Sequence, residues 1–207
     1  MSLSELLERN KGWVRERLEA DPDCFTNMAA RHEPHYLWIG CSDARVPANV
    51  VTRTDAGEMF VHRNIANLVV PTDHNLLAVL QYAVEVLRVQ DVIVCGHEGC
   101  GGVRAALGET PLPAVDAWLE HVRVASRVHA AELAALPDED ARWRRLVSLN
   151  VMEQVSSLSR LPIVRAAWAR GDTLRLHGLV YDIADGVLRD LGVTRDGPAA
   201  FIESDAA

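Results

Sequence analysis

The chain has 207 residues, 49% of them hydrophobic, enough to bury the core of one domain with a helical arm left over. With 21 Lys+Arg against 29 Asp+Glu the formal charge is -8, which keeps a chain soluble and speaks against a polyanionic partner, so nucleic acid is not expected. The longest apolar runs, Leu76 to Val84 and Asp91 to Gly96, fall far short of the roughly 20 residues needed to span a bilayer, so no membrane partner is expected either.

At the start, residues 1–10 carry acidic groups where a secretory leader has a basic start and an apolar stretch, so a cytoplasmic location is expected. The four cysteines then read as reduced thiols for packing or metal binding, not as a disulfide framework. Leu3, Leu6, Leu7, Val14 and Leu18 recur at helical spacing, and Ser2 and Glu5 stand like a capping box, which predicts one or two N-terminal helices. Tyr36 to Gly40 is short, apolar and bounded by Pro34 and Gly40, the pattern of a strand buried on both faces. Met59 to Val61, Asp91 to Gly96 and Thr173 to Leu179 predict three more. Between them lie helical patterns over Asn75 to Val86, Gly102 to Leu107, Val115 to Leu136 and Asp140 to Leu158. A last apolar segment, Val187 to Leu191, is placed to return antiparallel at an edge.

Strands alternating with helices predict an α/β fold: a mostly parallel central sheet, four parallel strands plus an antiparallel edge strand, flanked by helices. The whole chain, 1–207, is read as a single domain, with residues 1–34 a helical arm and 35–207 the core. The linker-like stretches at 110–113 and 137–140 are surface turns in this reading, not domain boundaries.

In open parallel sheets ligands gather beyond the carboxyl ends of the strands, where successive loops converge. Cys41 follows the first predicted strand, while His97 and Cys100 follow the one that ends at Gly96; if the two strands are neighbours, all three share one rim. Two thiolates and an imidazole suit zinc by softness, and three protein ligands leave a fourth tetrahedral position open, the mark of a catalytic site. His-x-x-Cys alone is a weak signal, since a buried histidine beside a packing cysteine gives the same spacing. Gly99, Gly101 and Gly102 favour the metal, because a chain closing around an ion benefits from residues without a Cβ. Cys24 and Cys95 read as core filling.

Two thiolates leave the ion little net charge with which to acidify water, so such a site needs help. Asp43, two residues from Cys41, could orient the attacking oxygen or itself become a fourth ligand. Arg45 could hold that carboxylate ionised and off the metal through a charge-assisted pair. Spacing alone equally allows an ordinary surface ion pair.

The ordered motifs Cys41-Ser-Asp-Ala-Arg-Val-Pro47, His62-Arg-Asn-Ile-Ala-Asn67 and Gly96-His-Glu-Gly-Cys-Gly-Gly102 resemble those of β-carbonic anhydrases. The likeness continues through Asp73-x-Asn75, Asn150-Val-Met-Glu-Gln154 and His177-Gly-Leu-Val-Tyr181, covering nearly everything after residue 24. The resemblance implies one zinc per subunit on Cys41, His97 and Cys100, with Asp43 and Arg45 as a catalytic dyad. It implies reversible hydration of carbon dioxide to bicarbonate and a proton by zinc hydroxide, in homodimers or homotetramers clasped by N-terminal helices. A bicarbonate-regulated subset of the family is similar at Trp38, Arg63 and Tyr181. There the trio grips a non-catalytic bicarbonate, which favours a closed form with Asp43 as fourth zinc ligand and activity that recovers only in mild alkali.

Two positions depart from the family pattern. His32 stands where many members carry a glutamine that reaches the substrate pocket of the partner subunit, and Glu98 follows His97 where Tyr, Ser or Thr is common. Both are candidate pocket residues, an acid–base pair if they meet. Competing readings keep the zinc and change the substrate to carbonyl sulfide or carbon disulfide, or make the chain a non-catalytic bicarbonate-sensing scaffold.

Overall fold

The computed structural model describes residues 1–198; residues 199–207, the end of the expected core, lie outside the described residues. Two compact units emerge, residues 1–33 and the chain from Pro34 onward. In the first, α1 (Leu3–Ala20) opens on the expected capping box: the Ser2 hydroxyl accepts from Glu5 N–H at 3.2 Å, and the Glu5 carboxylate accepts from Ser2 N–H at 2.6 Å. A second helix, α2 (Cys24–Ala30), begins on the buried Cys24, and its Phe25 meets Trp13 edge-on at 5.5 Å. No residue of α1 is buried; Leu3, Leu6, Leu7, Trp13 and Leu18 are all exposed.

The second unit is built on five strands: β1 (Tyr36–Cys41), β2 (Met59–Asn64), β3 (Asp91–His97), β4 (Arg175–Tyr181) and β5 (Leu188–Asp190). Their spatial order is β2-β1-β3-β4-β5, with the first four parallel and β5 antiparallel to β4, as expected. Around the sheet lie α3 (Ala48–Thr52), α4 (His74–Gln81), α5 (Gly101–Ala105), α6 (Pro113–Val128), α7 (Ala130–Ala134), α8 (Glu139–Arg160) and α9 (Pro162–Ala169). Leu37 and Ile39 of β1 enter the main core, whereas Trp38 enters a smaller cluster with Val46, Met59 and Cys95; a strand buried on both faces reads as an unbroken apolar run.

Several boundaries differ from the predicted ones for identifiable reasons. Strand β2 runs three residues past Val61, because His62, Arg63 and Asn64 continue the ladder opposite Ile39, Gly40 and Cys41 while their side chains find hydrogen bonds. The helix predicted over 115–136 breaks at His129, whose backbone leaves helical geometry and whose ring sits between Glu132 and Glu153. Pro162 starts a helix that the pattern did not reveal, since proline at the first helical position gives up no hydrogen bond.

Helix α8 lies directly on β3 and β4 because two glycines let it. A Cβ on Gly96 would meet Val151 at 2.7 Å, and one on Gly178 would meet Val193 at 2.7 Å and Val151 at 3.1 Å. Overpacking of that kind typically costs about 1–3 kcal/mol. The close approach brings the middle of α8 beneath the carboxyl ends of the strands. Among the described residues no helix is long and apolar enough to cross a membrane.

Candidate metal centre

Because β1 and β3 are neighbours, the exits of both strands open on the same rim. Cys41 closes β1, His97 closes β3, and Cys100 stands at the start of α5 after a turn in which Gly99 takes φ 73°. Their ligand atoms lie within 4.8 Å of one another, and all three residues are buried. The two sulfurs are 3.9 Å apart. Thiolates each about 2.3 Å from a tetrahedral zinc would stand about 3.8 Å apart, so the spacing fits that ion.

The histidine supports the same reading. His97 Nδ1 lies 2.9 Å from the carbonyl of Glu98, which can only accept, so Nδ1 carries the hydrogen. Nε2 is then left with its lone pair in a buried position without a hydrogen-bond partner among the described residues. An orphaned acceptor between two thiols, with its tautomer fixed by a backbone carbonyl, is the arrangement of a histidine prepared for a metal.

Electrostatics at the cluster are set by proximity. The hydrogen bond from Cys100 is the largest influence on Cys41, and with the nearby imidazole of His97 it outweighs burial and brings Cys41 down to about 4. The proton stays with Cys100, pushed well above the ordinary thiol range by its bond to Cys41 and by burial. Burial works against a charged His97, but the adjacent Cys41 thiolate prevails and raises it. Cys95, by contrast, is a thiol that burial drives up and that serves the core.

Asp43 faces the cluster, its Oδ2 3.8 Å from His97 Nε2. Arg45 grips the carboxylate at both oxygens, Nε to Oδ1 at 2.9 Å and Nη2 to Oδ2 at 2.7 Å, and its backbone N–H adds a third bond at 2.9 Å. Those bonds hold Asp43 well below the usual carboxylate range. Arg45 Nη2 also reaches the carbonyl of Gly99 at 3.4 Å, linking the β1 loop to the β3 loop.

A family model described as carbonic anhydrase matches residues 36–188. The carbonic anhydrase of Emericella nidulans is 43% identical over 199 residues, covering 96% of this chain and 87% of that protein. The carbonic anhydrase of Pseudomonas aeruginosa is 39% identical over 84% of this chain and 82% of its own length. Among solved structures, the Coccomyxa β-carbonic anhydrase in complex with acetazolamide superposes with a TM-score of 0.91 at 38% identity, covering 95% of this chain and 89% of that one. The chain belongs to the β-carbonic anhydrase family. As a member it is an enzyme, a zinc lyase of the carbonic anhydrase class.

The remaining sequence candidates of this β-carbonic anhydrase are distributed as follows. Trp38, Gly40 and Arg63 share one face of the sheet by strand register, and Trp38 and Tyr181 belong to the same apolar cluster. The Trp38 indole lies across Gly40, where a Cβ would meet Nε1 at 2.2 Å, and its N–H is buried without a partner among the described residues. Arg63 donates through Nε to the carbonyl of Cys41 at 2.8 Å and through Nη2 to that of Asp43. Glu98 is half-buried; burial and then the charge of Asp182 push its carboxyl up, with Arg144 and Arg189 opposing. His32 is exposed and belongs to the N-terminal unit, after α2.

Sequence reasoning missed the residues that brace these loops. Trp143 Nε1 donates to the carbonyl of Cys100 at 2.9 Å, Trp118 Nε1 to that of Ile65 at 2.8 Å, and Asn150 Nδ2 to that of Ala66 at 3.0 Å. The available signal was Asn150 and Gln154, two polar residues four apart on a helix face otherwise made of Val147, Val151 and Val155.

Proposed function

We propose that the chain interconverts carbon dioxide and bicarbonate at the rim of β1 and β3, with Cys41, His97 and Cys100 holding zinc and Asp43 and Arg45 serving the reaction. The observation that carries this is the buried two-thiol, one-imidazole cluster beside an aspartate locked ionised by arginine. Zinc bound there would supply a Lewis acid that brings the pKa of water toward neutrality. Asp43, an acceptor only, orients the water by taking a hydrogen bond at Oδ2, and Arg45 keeps that oxygen from turning to the metal. Stopped-flow hydration of carbon dioxide by the zinc-loaded protein at alkaline pH tests the reading. Proton release well above the uncatalysed rate is expected, and none would overturn it.

The same proposal includes a regulatory bicarbonate held by Trp38, Arg63 and Tyr181. Its support is the buried indole N–H without a partner, a donor that an anion would satisfy. Arg63 ties that face to the backbone of Cys41 and Asp43, so an anion competing for the guanidinium would loosen the Asp43 loop and favour Asp43 as a fourth zinc ligand. Trp38→Phe keeps the ring and removes the donor. A hydrogen bond to an anion is worth about 1.5–3 kcal/mol, so bicarbonate inhibition is expected to weaken roughly tenfold or more. Inhibition curves matching the parent would discard the site.

Homodimers or homotetramers in the cytoplasm, with residues 1–34 as an arm on a single domain of 1–207, complete the proposal. The exposed apolar residues of α1 support it, as does the tetrameric β-carbonic anhydrase of Sordaria macrospora, 39% identical with a TM-score of 0.88 over 93% of this chain and 98% of that one.

A further inference from the structure

Of the three groups that converge at the rim, two have their backbones fixed by the sheet. Cys41 lies in register with Asn64 on β2, and the next N–H, that of Ser42, donates to the Asn64 carbonyl at 2.9 Å. His97 lies in register with Tyr181 on β4, and the N–H of Glu98 donates to the Tyr181 carbonyl at 2.8 Å. Cys100 has no strand to hold it. It follows the turn at Gly99, precedes Gly101 and Gly102, and caps α5, a helix of 5 residues, too short to keep its own shape in water.

A side chain from another element takes the place of the sheet. The Cys100 carbonyl accepts the N–H of Arg104 at 3.0 Å, its bond within α5, and the indole Nε1–H of Trp143 at 2.9 Å, which fills its second lone pair. Trp143 stands on α8, 22 residues long and anchored just beyond the indole by the buried Leu146, Val147 and Leu149. The ring is itself held in place. The Arg104 guanidinium lies over it at 4.7 Å, and Arg104 Nη2 reaches Glu139 of α8 at 3.6 Å. The donor is thus carried by the longest of the described helices, and its ring is pinned by a residue of the short helix that it steadies.

We propose that Trp143 is a positioning residue for the metal site, fixing the Cys100 peptide through its indole N–H so that the Cys100 sulfur stays beside that of Cys41. This rests on the reading of Cys100 as a zinc ligand. A group that orients a metal ligand from outside typically contributes about 10–100-fold in metal affinity or activity. Because Cys41 and His97 have the sheet, that contribution falls on the one ligand whose chain would otherwise shift.

The test measures zinc affinity by chelator competition and follows the thiolate-to-cobalt and ligand-field absorption of the cobalt(II)-substituted protein. Trp143→Phe keeps an aromatic ring under Arg104 and removes the donor. Its zinc affinity is expected to fall about tenfold or more, and its cobalt bands to weaken and shift as the Cys100 sulfur loses its fixed position. Benzothienylalanine at position 143 keeps the bicyclic ring and puts sulfur where the N–H was. The same loss is expected of it, and it decides the matter should Trp143→Phe fail to fold. Trp168→Phe makes the same chemical change at the amino end of the sheet, where the Trp168 indole donates to the Leu174 carbonyl at 2.8 Å just before β4. It is expected to lower the melting temperature with zinc affinity and cobalt bands unchanged. Zinc affinity within about twofold of the parent's in either variant at position 143, or an equal loss in Trp168→Phe, would overturn the proposal. A parent protein without thiolate-to-cobalt absorption would overturn the ligand reading itself, a failure distinguishable from the first.

Discussion

Cys100→Ala is expected to leave the protein folded, without stoichiometric zinc, and with carbon dioxide hydration reduced by far more than the roughly 10–100-fold typical of losing an outer-shell partner. Cys100 is one of three groups whose ligand atoms converge within 4.8 Å, and two donors do not hold zinc tightly at a site meant to keep one position open. The electrostatics add a pH signature in the parent. Cys41 sits near 4 and is ready as a thiolate, but Cys100 keeps its proton because Cys41 is charged beside it. Zinc must therefore displace a proton from Cys100, and the apparent affinity of the metal-free protein rises with pH, about tenfold per unit for each proton released. Zinc content by atomic absorption, with affinity measured across pH, checks both parts. Cys100→Ala with full zinc and parental activity would refute the ligand assignment.

What could be read in advance follows from how each residue announces itself. The central strands β1 and β3 are largely buried on both faces and had to be near-continuous apolar runs, so they were legible, and β2 and β4 showed through their apolar residues. Their pairing order was not, because register depends on which loops cross over. The polar end of β2 escaped notice because His62, Arg63 and Asn64 are strand residues whose side chains bond laterally, and alternation rules expect solvent there. Cys41, His97 and Cys100 were legible because thiols and imidazoles at strand exits have few other uses. Asn150 and Gln154 were quoted within a motif without a role, since a buried amide is meaningful only once its partners are known, and those lie 84 and 85 residues away. The donors that hold the Cys41 and Cys100 carbonyls, Arg63 and Trp143, are tertiary information throughout.

Asp43→Ala is expected to retain zinc and to lose roughly 10²–10³ in kcat/KM, within the usual range for a positioned proton-transfer group. Zinc is retained because Asp43 lies outside the three converging ligands, held at both oxygens by Arg45. Arg45→Ala is expected to lose a comparable amount by another route: the carboxylate, released 3.8 Å from His97 Nε2, is free to become the fourth ligand and close the site. If the two residues act as one device, the double variant should be no slower than Asp43→Ala alone, an interaction that a double-mutant cycle on kcat/KM exposes directly. An exposed ion pair in a loop predicts the opposite: two small, additive effects. Arg45 is itself largely exposed, so its pairing adds little to stability and the variant should fold normally. The pH profile separates the routes further. Asp43 is ionised throughout the working range, so its removal lowers the rate at every pH. Closure by Asp43 in Arg45→Ala competes with water for the metal and eases as the pH rises. Parental kcat/KM in Asp43→Ala at alkaline pH would remove the dyad from the mechanism.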